Sequence, residues 1–391
     1  MLKRTLEAKL TSLAAKFPVV AVVGPRQSGK TMLVKHAFPG HEYVSLEDLD
    51  TRAYAETDPR AFLSDHPGPA ILDEAQRVPG LFSYLQAKAD SNKKNGRYVL
   101  TGSQNILLQE GVSQSLAGRA AYLTVLPFSL EEISGSPFEP RSLDACLFEG
   151  FYPRLHDQKI KPGDWFPNYI RTYVERDVRM IKNITDLRAF QKFIRLCAGR
   201  VGQMLNLSAL GAECGITHPT AAAWLSVLEA SYIVFLLQPH HVNFGKRLVK
   251  APKLYFHDTG MACWLLGIKE ASQVKAHYLR GGLFENLVIS EVMKHSVHRG
   301  KEPSCFYWRD KAGLEIDCLI DDPGGPWLIE AKAGLTPAAD YFDNFKMWEK
   351  AAGRKGPGNC VVYGGSQSQK RSEGALVAWK DLPQYLSAHS R

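Results

Sequence analysis

No C-x-x-C pair occurs in this chain of 391 residues, and its seven cysteines (Cys146, Cys197, Cys214, Cys263, Cys305, Cys318 and Cys360) are scattered and odd in number. That pattern excludes a disulfide framework and a thiolate zinc site, and it predicts reduced thiols in a cytoplasmic protein. No stretch approaches the roughly 20 apolar residues of a membrane span; the apolar run Tyr232–Leu237 is strand-sized. The opening MLKRTLEAKL lacks the apolar segment of a secretory leader. Internal repeats and low-complexity tracts are missing as well, and the Gly/Ser/Lys-rich stretch from Gly364 to Gly374 reads as a surface loop. Histidines such as His240, His241 and His257 have no metal-ligand spacing and read as surface or satisfied core residues.

What is present is an ordinary globular balance of apolar and charged residues, in a chain long enough for two to four domains and a core without staples. The net charge of +8 permits an acidic partner such as nucleic acid, although a basic balance also serves solubility.

Leu2, Leu6, Leu10 and Leu13 fall at helical spacing and predict a helix over residues 1–16. The β-branched run from Pro18 to Val23 predicts a strand buried on both faces, as in a parallel sheet. A helix is expected from Lys30 to about His36, a strand at Tyr43–Leu46 and a helical stretch from Arg52 to Phe62. Further strands are expected at Pro69–Asp73, Arg97–Thr101 and Ala120–Val125, with a helix over 80–90. Strands alternating with helices argue for a doubly wound α/β domain. Beyond about Pro127 the pattern turns helical to residue 200. A helix–turn–helix and a hairpin follow over 203–260, then from about Leu279 a helix, three strands, a helix and one or two more strands.

The run Gly24-Pro25-Arg26-Gln27-Ser28-Gly29-Lys30-Thr31 fits G-x-x-x-x-G-K-[ST] between a strand and a helix. Glycines let backbone N–H groups turn inward around a β-phosphate, and the helix N-terminus adds its positive dipole end. Lys30 is placed to bridge β- and γ-phosphates and Thr31 to ligate Mg²⁺, so ATP with Mg²⁺ is the expected ligand. The apolar strand Ala70-Ile71-Leu72 ends in Asp73 and Glu74: the first suits the Mg²⁺ water shell, the second a general base for the attacking water. Ser103 or Gln104, after the strand Val99–Thr101, is placed to sense a γ-phosphate, or forms an ordinary strand-end turn. Arg119 is either a finger stabilising transition-state charge, in cis or in trans, or a surface arginine without such a role.

These residues resemble AAA+ ATPases. More narrowly, GPRQSGKT, AILDEAQ, VLTGSQN, SLAGRAAYLTVLPFSLEE, RTYVERDV, FENLV and EIDCLIDDPGGPWLIEAKA resemble a bacterial and archaeal group of AAA+-like ATPases, and together they cover nearly the whole chain. The resemblance implies an AAA+-like P-loop domain over 1–130, a helical lid over 131–202, a winged helix over 203–262, and an α/β domain related to PD-(D/E)xK nucleases, and so restriction-endonuclease-like, over 263–391.

The residues themselves support the middle segment. Leu207–Cys214 reads as a short helix, Gly215–Thr217 as a turn with Thr217 capping, and the next helix carries Thr220–Glu229. Tyr232–Leu237 and Lys253–Phe256 are the expected wing strands, with Lys246, Arg247 and Lys250 between them suited to phosphates. The second helix offers no Arg, Asn or Gln to read base edges, so nucleic-acid contact would run through the backbone; winged helices also serve as structural or protein-contact modules.

In the last segment Asp317 stands on one strand and Glu330-x-Lys332 on its hairpin partner, the D…E-x-K arrangement in which two carboxylates hold Mg²⁺ and the lysine assists the attacking water. Alternating Glu and Lys on a solvated strand face gives the same pattern. Glu285 matches the extra acid such folds carry, with Glu291 as second choice. The proline of the motif is missing: Leu314-Glu315 precedes Asp317. Three readings result: an ATP-hydrolysing switch acting with nucleic acid, a nucleotide-gated metal-dependent nuclease, and an ATP-binding protein scaffold with little turnover. A homo-oligomer accords with the AAA+ resemblance, and no membrane partner is expected.

Overall fold

The computed structural model describes residues 2–91, 94–103, 115–174, 186–240, 251–353 and 355–389. It divides into two compact units. The first comprises Met1–Pro127 with Ala230–Tyr232 and Val297–Lys301; the second holds the remainder, so the segments expected as lid, winged helix and C-terminal domain share one unit.

In the first unit β1 (Val19–Val23), β2 (Glu42–Ser45), β3 (Ala70–Asp73), β4 (Tyr98–Gly102) and β5 (Ala120–Thr124) form a parallel sheet of order β2-β3-β4-β1-β5. All five residues of β1 are buried, with β4 and β5 paired on its two sides. Successive side chains point to opposite faces. Val20, Val22, Ile71 and Val99 pack with Leu10 of α1 (Glu7–Ala14), Leu6 just before it, and Leu33 and Val34 of α2 (Lys30–Ala37). Val19, Ala21, Val23, Leu72 and Leu100 pack with Ala55 of α3 (Leu49–Thr57), Phe62 of α4 (Pro59–Asp65) and Phe82 and Leu85 of α5 (Leu81–Ser91). Burying each such large apolar side chain contributes about 1.5–3 kcal/mol, which is why the sheet is covered on both faces.

Two local expectations are corrected here. The helix expected over Arg52–Phe62 is two helices, because Asp58 ends one, accepts from the Ala61 N–H at 2.9 Å as cap of the next, and Pro59 starts it. The N-terminal helix is shorter than expected, beginning only at Glu7.

In the second unit the helix α6 (Leu207–Cys214) ends at Gly215 in the left-handed region, and α7 (His218–Ala230) begins with the Thr220 N–H donating to Thr217 Oγ1 at 3.3 Å. An antiparallel ribbon of β6 (Val234–Leu237) and β7 (Lys253–Phe256) comes next. The long helix α8 (Arg280–Val297) leads to a six-stranded mixed sheet of order β12-β13-β11-β10-β9-β8. Its strands are β8 (Cys305–Arg309), β9 (Glu315–Ile320), β10 (Trp327–Lys332), β11 (Cys360–Tyr363), β12 (Gln369–Arg371) and β13 (Gly374–Ala378). Phe345 and Trp348 of α9 (Asp343–Ala352) pack on Ile316, Leu328, Val361 and Leu376 of this sheet. The stretch expected as loop, Gly364–Gly374, holds the edge strand β12, whose three exposed residues carry no apolar alternation to announce it.

Candidate functional site

The nucleotide loop is built by sterics first. Gly24 leaves β1 at φ 147°, and a Cβ there would lie 2.1 Å from the Val125 carbonyl oxygen, so only glycine fits. Gln27 (φ 60°) and Gly29 (φ 90°) turn the backbone into the N-terminus of α2. Arg4, itself buried, donates to the carbonyls of Ser28 and Leu126, both at 2.7 Å, and so pins the loop to the segment after β5. Among the described residues Ser28 Oγ is buried without a hydrogen-bond partner. Lys30 opens α2, and its buried Nζ donates to Gly24 O (3.0 Å) and Pro25 O (2.8 Å). Burial draws its pKa down from 10.5 to about 8, with Glu74 and Asp73 opposing the shift and Arg26 adding to it.

Asp73 closes the other side. Its carboxylate accepts from Thr31 Oγ1 (3.3 Å to each oxygen), from the Tyr43 hydroxyl of β2 (2.6 Å) and from Thr101 Oγ1 of β4. Because β3 lies between β2 and β4, donors reach Asp73 from both neighbours. Burial, followed by the bond to Asp73, raises the Tyr43 phenol well above its usual range. Glu74 sits in the left-handed region (φ 56°, ψ 43°), a conformation that costs a non-glycine residue of order 1–3 kcal/mol. Its Oε2 accepts from Gln76 Nε2 (2.5 Å) and Ser103 Oγ (2.9 Å).

Lys30, Thr31, Asp73, Glu74 and Ser103 therefore gather at the carboxyl ends of β1, β3 and β4, where open α/β sheets bind ligands. Thr31 hydroxyl and Asp73 carboxylate converge as hard oxygen donors, which suits Mg²⁺, and the glycine-shaped loop with its lysine suits phosphates. Gln104 lies outside the described residues. Arg119 is not brought to the cluster: it precedes β5, its carbonyl accepts from the Val19 N–H, and its guanidinium pairs with Asp90 at 2.5 and 3.0 Å. That is the amino end of β1, about 17 Å of strand from the loop, which corrects the reading of Arg119 as a finger in cis. Tyr43, Thr101 and Gln76 are site residues the sequence reading missed. For Gln76, two residues beyond Glu74, proximity to the motif was a usable signal.

The C-terminal acids also assemble. Continuing the β9–β10 register from Ile329↔Cys318 sets Glu330 opposite Asp317, whose Oδ2 accepts from the Ala331 N–H at 2.9 Å. Lys332 Nζ donates to Glu330 Oε2 at 2.8 Å, and Asn344 to Glu330 Oε1 at 3.3 Å. Burial and then the Asp317 charge raise Glu330 from 4.5 to about 8, and the same two causes raise Glu285 of α8 to about 7, each partly offset by its lysine. That lysine for Glu285 is Lys253 of β7, 3% exposed, 2.8 Å from Glu285, 2.5 Å from Glu315 and 4.0 Å from Asp317. The sequence had offered Lys253 only as the start of a wing strand. Glu291 is elsewhere, buried against Lys294 Nζ (2.9 Å) and the Leu130 N–H (2.7 Å), a structural role that removes it as second choice. Lys246, Arg247 and Lys250 lie outside the described residues. Among the described residues no set of three or more His, Cys, Asp or Glu side chains is arranged to hold a metal ion, and no helix is long and apolar enough to cross a membrane.

Residues 140–272 and 280–382 match two family models described as domains of unknown function (DUF8612 and DUF4143). The chain is 28% identical over 339 residues to an uncharacterized protein of Mycobacterium tuberculosis, covering 86% of this chain and 75% of that one. It is 24% identical over 248 residues to an uncharacterized protein of Haemophilus influenzae, covering 59% of each. Among solved structures it is similar to a Walker-type ATPase of Pyrococcus abyssi (TM-score 0.40, 15% identity, 66% of this chain and 94% of that one). AMPPCP-bound DnaA from Aquifex aeolicus is similar at TM-score 0.30 and 16% identity, over 57% and 85% of the two chains. Residues 16–134 match a family model described as an AAA domain, which supports a P-loop ATPase family for this segment and, in general terms, ATP binding and hydrolysis.

Proposed function

We propose that the chain is an ATP-hydrolysing molecular switch of the AAA+ type that works with Mg²⁺. The observation that carries this reading is the convergence of Thr31 and Asp73 beside the Lys30 loop. In this reading the backbone N–H groups of Gly24–Thr31 surround the phosphates. Lys30 exchanges its bonds to the Gly24 and Pro25 carbonyls for phosphate oxygens, which restores a partner for its buried charge. Thr31 and Asp73 hold Mg²⁺, which when bound neutralises charge on the β- and γ-phosphate oxygens. Tyr43 and Thr101 keep Asp73 oriented. Glu74 takes the proton of the attacking water once released by Gln76 and Ser103. Arg119, distant from its own chain's site, enters only as a finger offered to a second copy in a homo-oligomer.

Turnover in this proposal drives a conformational change in the rest of the chain. We read α6, α7 and the β6–β7 ribbon as a winged helix that docks on a nucleic-acid backbone, and the six-stranded sheet with α8 as a PD-(D/E)xK-like fold. The supports are the helix–turn–helix layout with its Thr217 cap, and Asp317 facing Glu330.

The test is steady-state ATP hydrolysis by wild type and Glu74→Gln, with and without DNA or RNA. The mutant should lose about 100-fold or more in turnover while still binding ATP; hydrolysis at the wild-type rate would sink the proposal. Stimulation by nucleic acid supports the winged-helix reading, and unstimulated turnover moves the search to protein partners.

A further inference from the structure

The C-terminal carboxylates already hold a cation, and it belongs to the chain. Glu285, Glu315, Asp317 and Glu330 come from one helix and two strands, and acids so close repel unless they take up protons or positive charge lies among them. Lys253 Nζ reaches Glu285, Glu315 and Asp317, Lys332 answers Glu330, and Arg309 donates to Glu315 Oε2 at 2.7 Å. Three cationic side chains thus face four carboxylates. A divalent ion bound by Glu285 and Asp317 would meet the Lys253 ammonium in the space between them.

The lysine is fixed there by more than charge. Its neighbour Tyr255 donates to Glu285 Oε1 at 2.5 Å, and Phe256 exchanges two bonds with the Asn286 side chain, N–H to Oδ1 at 2.6 Å and Nδ2–H to O at 3.0 Å. On the other side of β7, Leu254 O accepts from the Gly202 N–H at 2.9 Å, and at Gly202 a Cβ would come within 3.3 Å of the Glu285 carboxylate. β7 is therefore docked on α8 through Lys253, Tyr255 and Phe256, with Lys253 carried into the acids by the strand itself.

We propose that Lys253 is the resident cation of this cluster, and that the acids form a metal-free clasp locking the β6–β7 ribbon to α8 and β9. The cluster in this state is a fastening within the second unit rather than a centre for metal-dependent cleavage. It is independent of the nucleotide-site reading, since none of its residues belongs to that site.

The experiment uses full-length protein carrying Asp73→Asn, which removes the carboxylate ligand at the nucleotide loop. Free Mn²⁺ is followed by electron paramagnetic resonance, and melting temperature is recorded alongside. With Lys253 in place, Asp317→Asn should change Mn²⁺ binding not at all. Lys253→Met should lower the melting temperature and gain one Mn²⁺ site that Asp317→Asn abolishes, with Mn²⁺ restoring part of the lost stability. Asp317-dependent Mn²⁺ binding in the protein that keeps Lys253 would overturn the proposal, as would a Lys253→Met protein as stable as its parent with no new site. Should Lys253→Met fail to fold, the comparison made with Lys253 present still decides.

Discussion

Raising the pH above 8 should weaken ATP binding through one lysine. Lys30 Nζ is buried at the start of α2, and burial lowers its pKa from 10.5 to about 8 even with Asp73 and Glu74 nearby. Only the charged ammonium pairs with phosphate. In the free protein the charged fraction is about nine-tenths at pH 7 and about one-tenth at pH 9, so the apparent Kd should rise about tenfold, or ~1.4 kcal/mol. Calorimetric titration with ATP and fixed Mg²⁺ in buffers of different ionisation enthalpy should also show close to one proton taken up on binding at the upper end. For stability the sign runs the other way. A lysine with a depressed folded pKa binds fewer protons folded than unfolded between 8 and 10.5, so its burial penalty is full below pH 8 and fades as pH rises through that window. A Kd that stays flat over this range, or that rises equally in Lys30→Met, would refute the reasoning.

Other consequences concern single contacts. Asp73→Asn should leave ATP binding in EDTA unchanged but abolish its strengthening by Mg²⁺, read by titration with and without the chelator; an enhancement that persists would exclude Asp73 as a ligand. Asn286→Ala breaks both bonds to Phe256 in a fully buried position, and should cost about 1–3 kcal/mol in urea unfolding, since the β7 groups are left unpaired. Trp348→Ala empties a fully buried volume under the C-terminal sheet and should cost about 3–5 kcal/mol by the same measurement.

The sequence made local features legible and hid the distant ones. The buried run of β1, its loop and α2 follow from β-branched residues, glycines and a helix start that are contiguous in the chain. The same holds for β3 with Asp73 and for α6, its turn and α7. Tyr43 and Thr101 were harder to see, because they meet Asp73 only once β2, β3 and β4 lie side by side, and strand order is not written in any one strand. Lys253 was hidden for a similar reason: in Lys253-Leu254-Tyr255-Phe256 alternation suggests a wet face for the lysine, whereas α8 and β9 cover that face with carboxylates. Arg119 is the opposite case: a motif-adjacent arginine left a finger and a plain surface residue both open, and the parallel register sets it at the amino end of the sheet, which removes only the finger in cis. β12 escaped notice because an exposed edge strand needs no apolar alternation.

The central claim is that Gly24–Thr31 binds ATP. A fluorescent ATP analogue titrated in Mg²⁺ against purified wild type and Lys30→Ala tests it most directly. One saturable site in the wild type that the substitution abolishes is the predicted result. No binding by the wild type, or equal binding by the two proteins, would contradict the account.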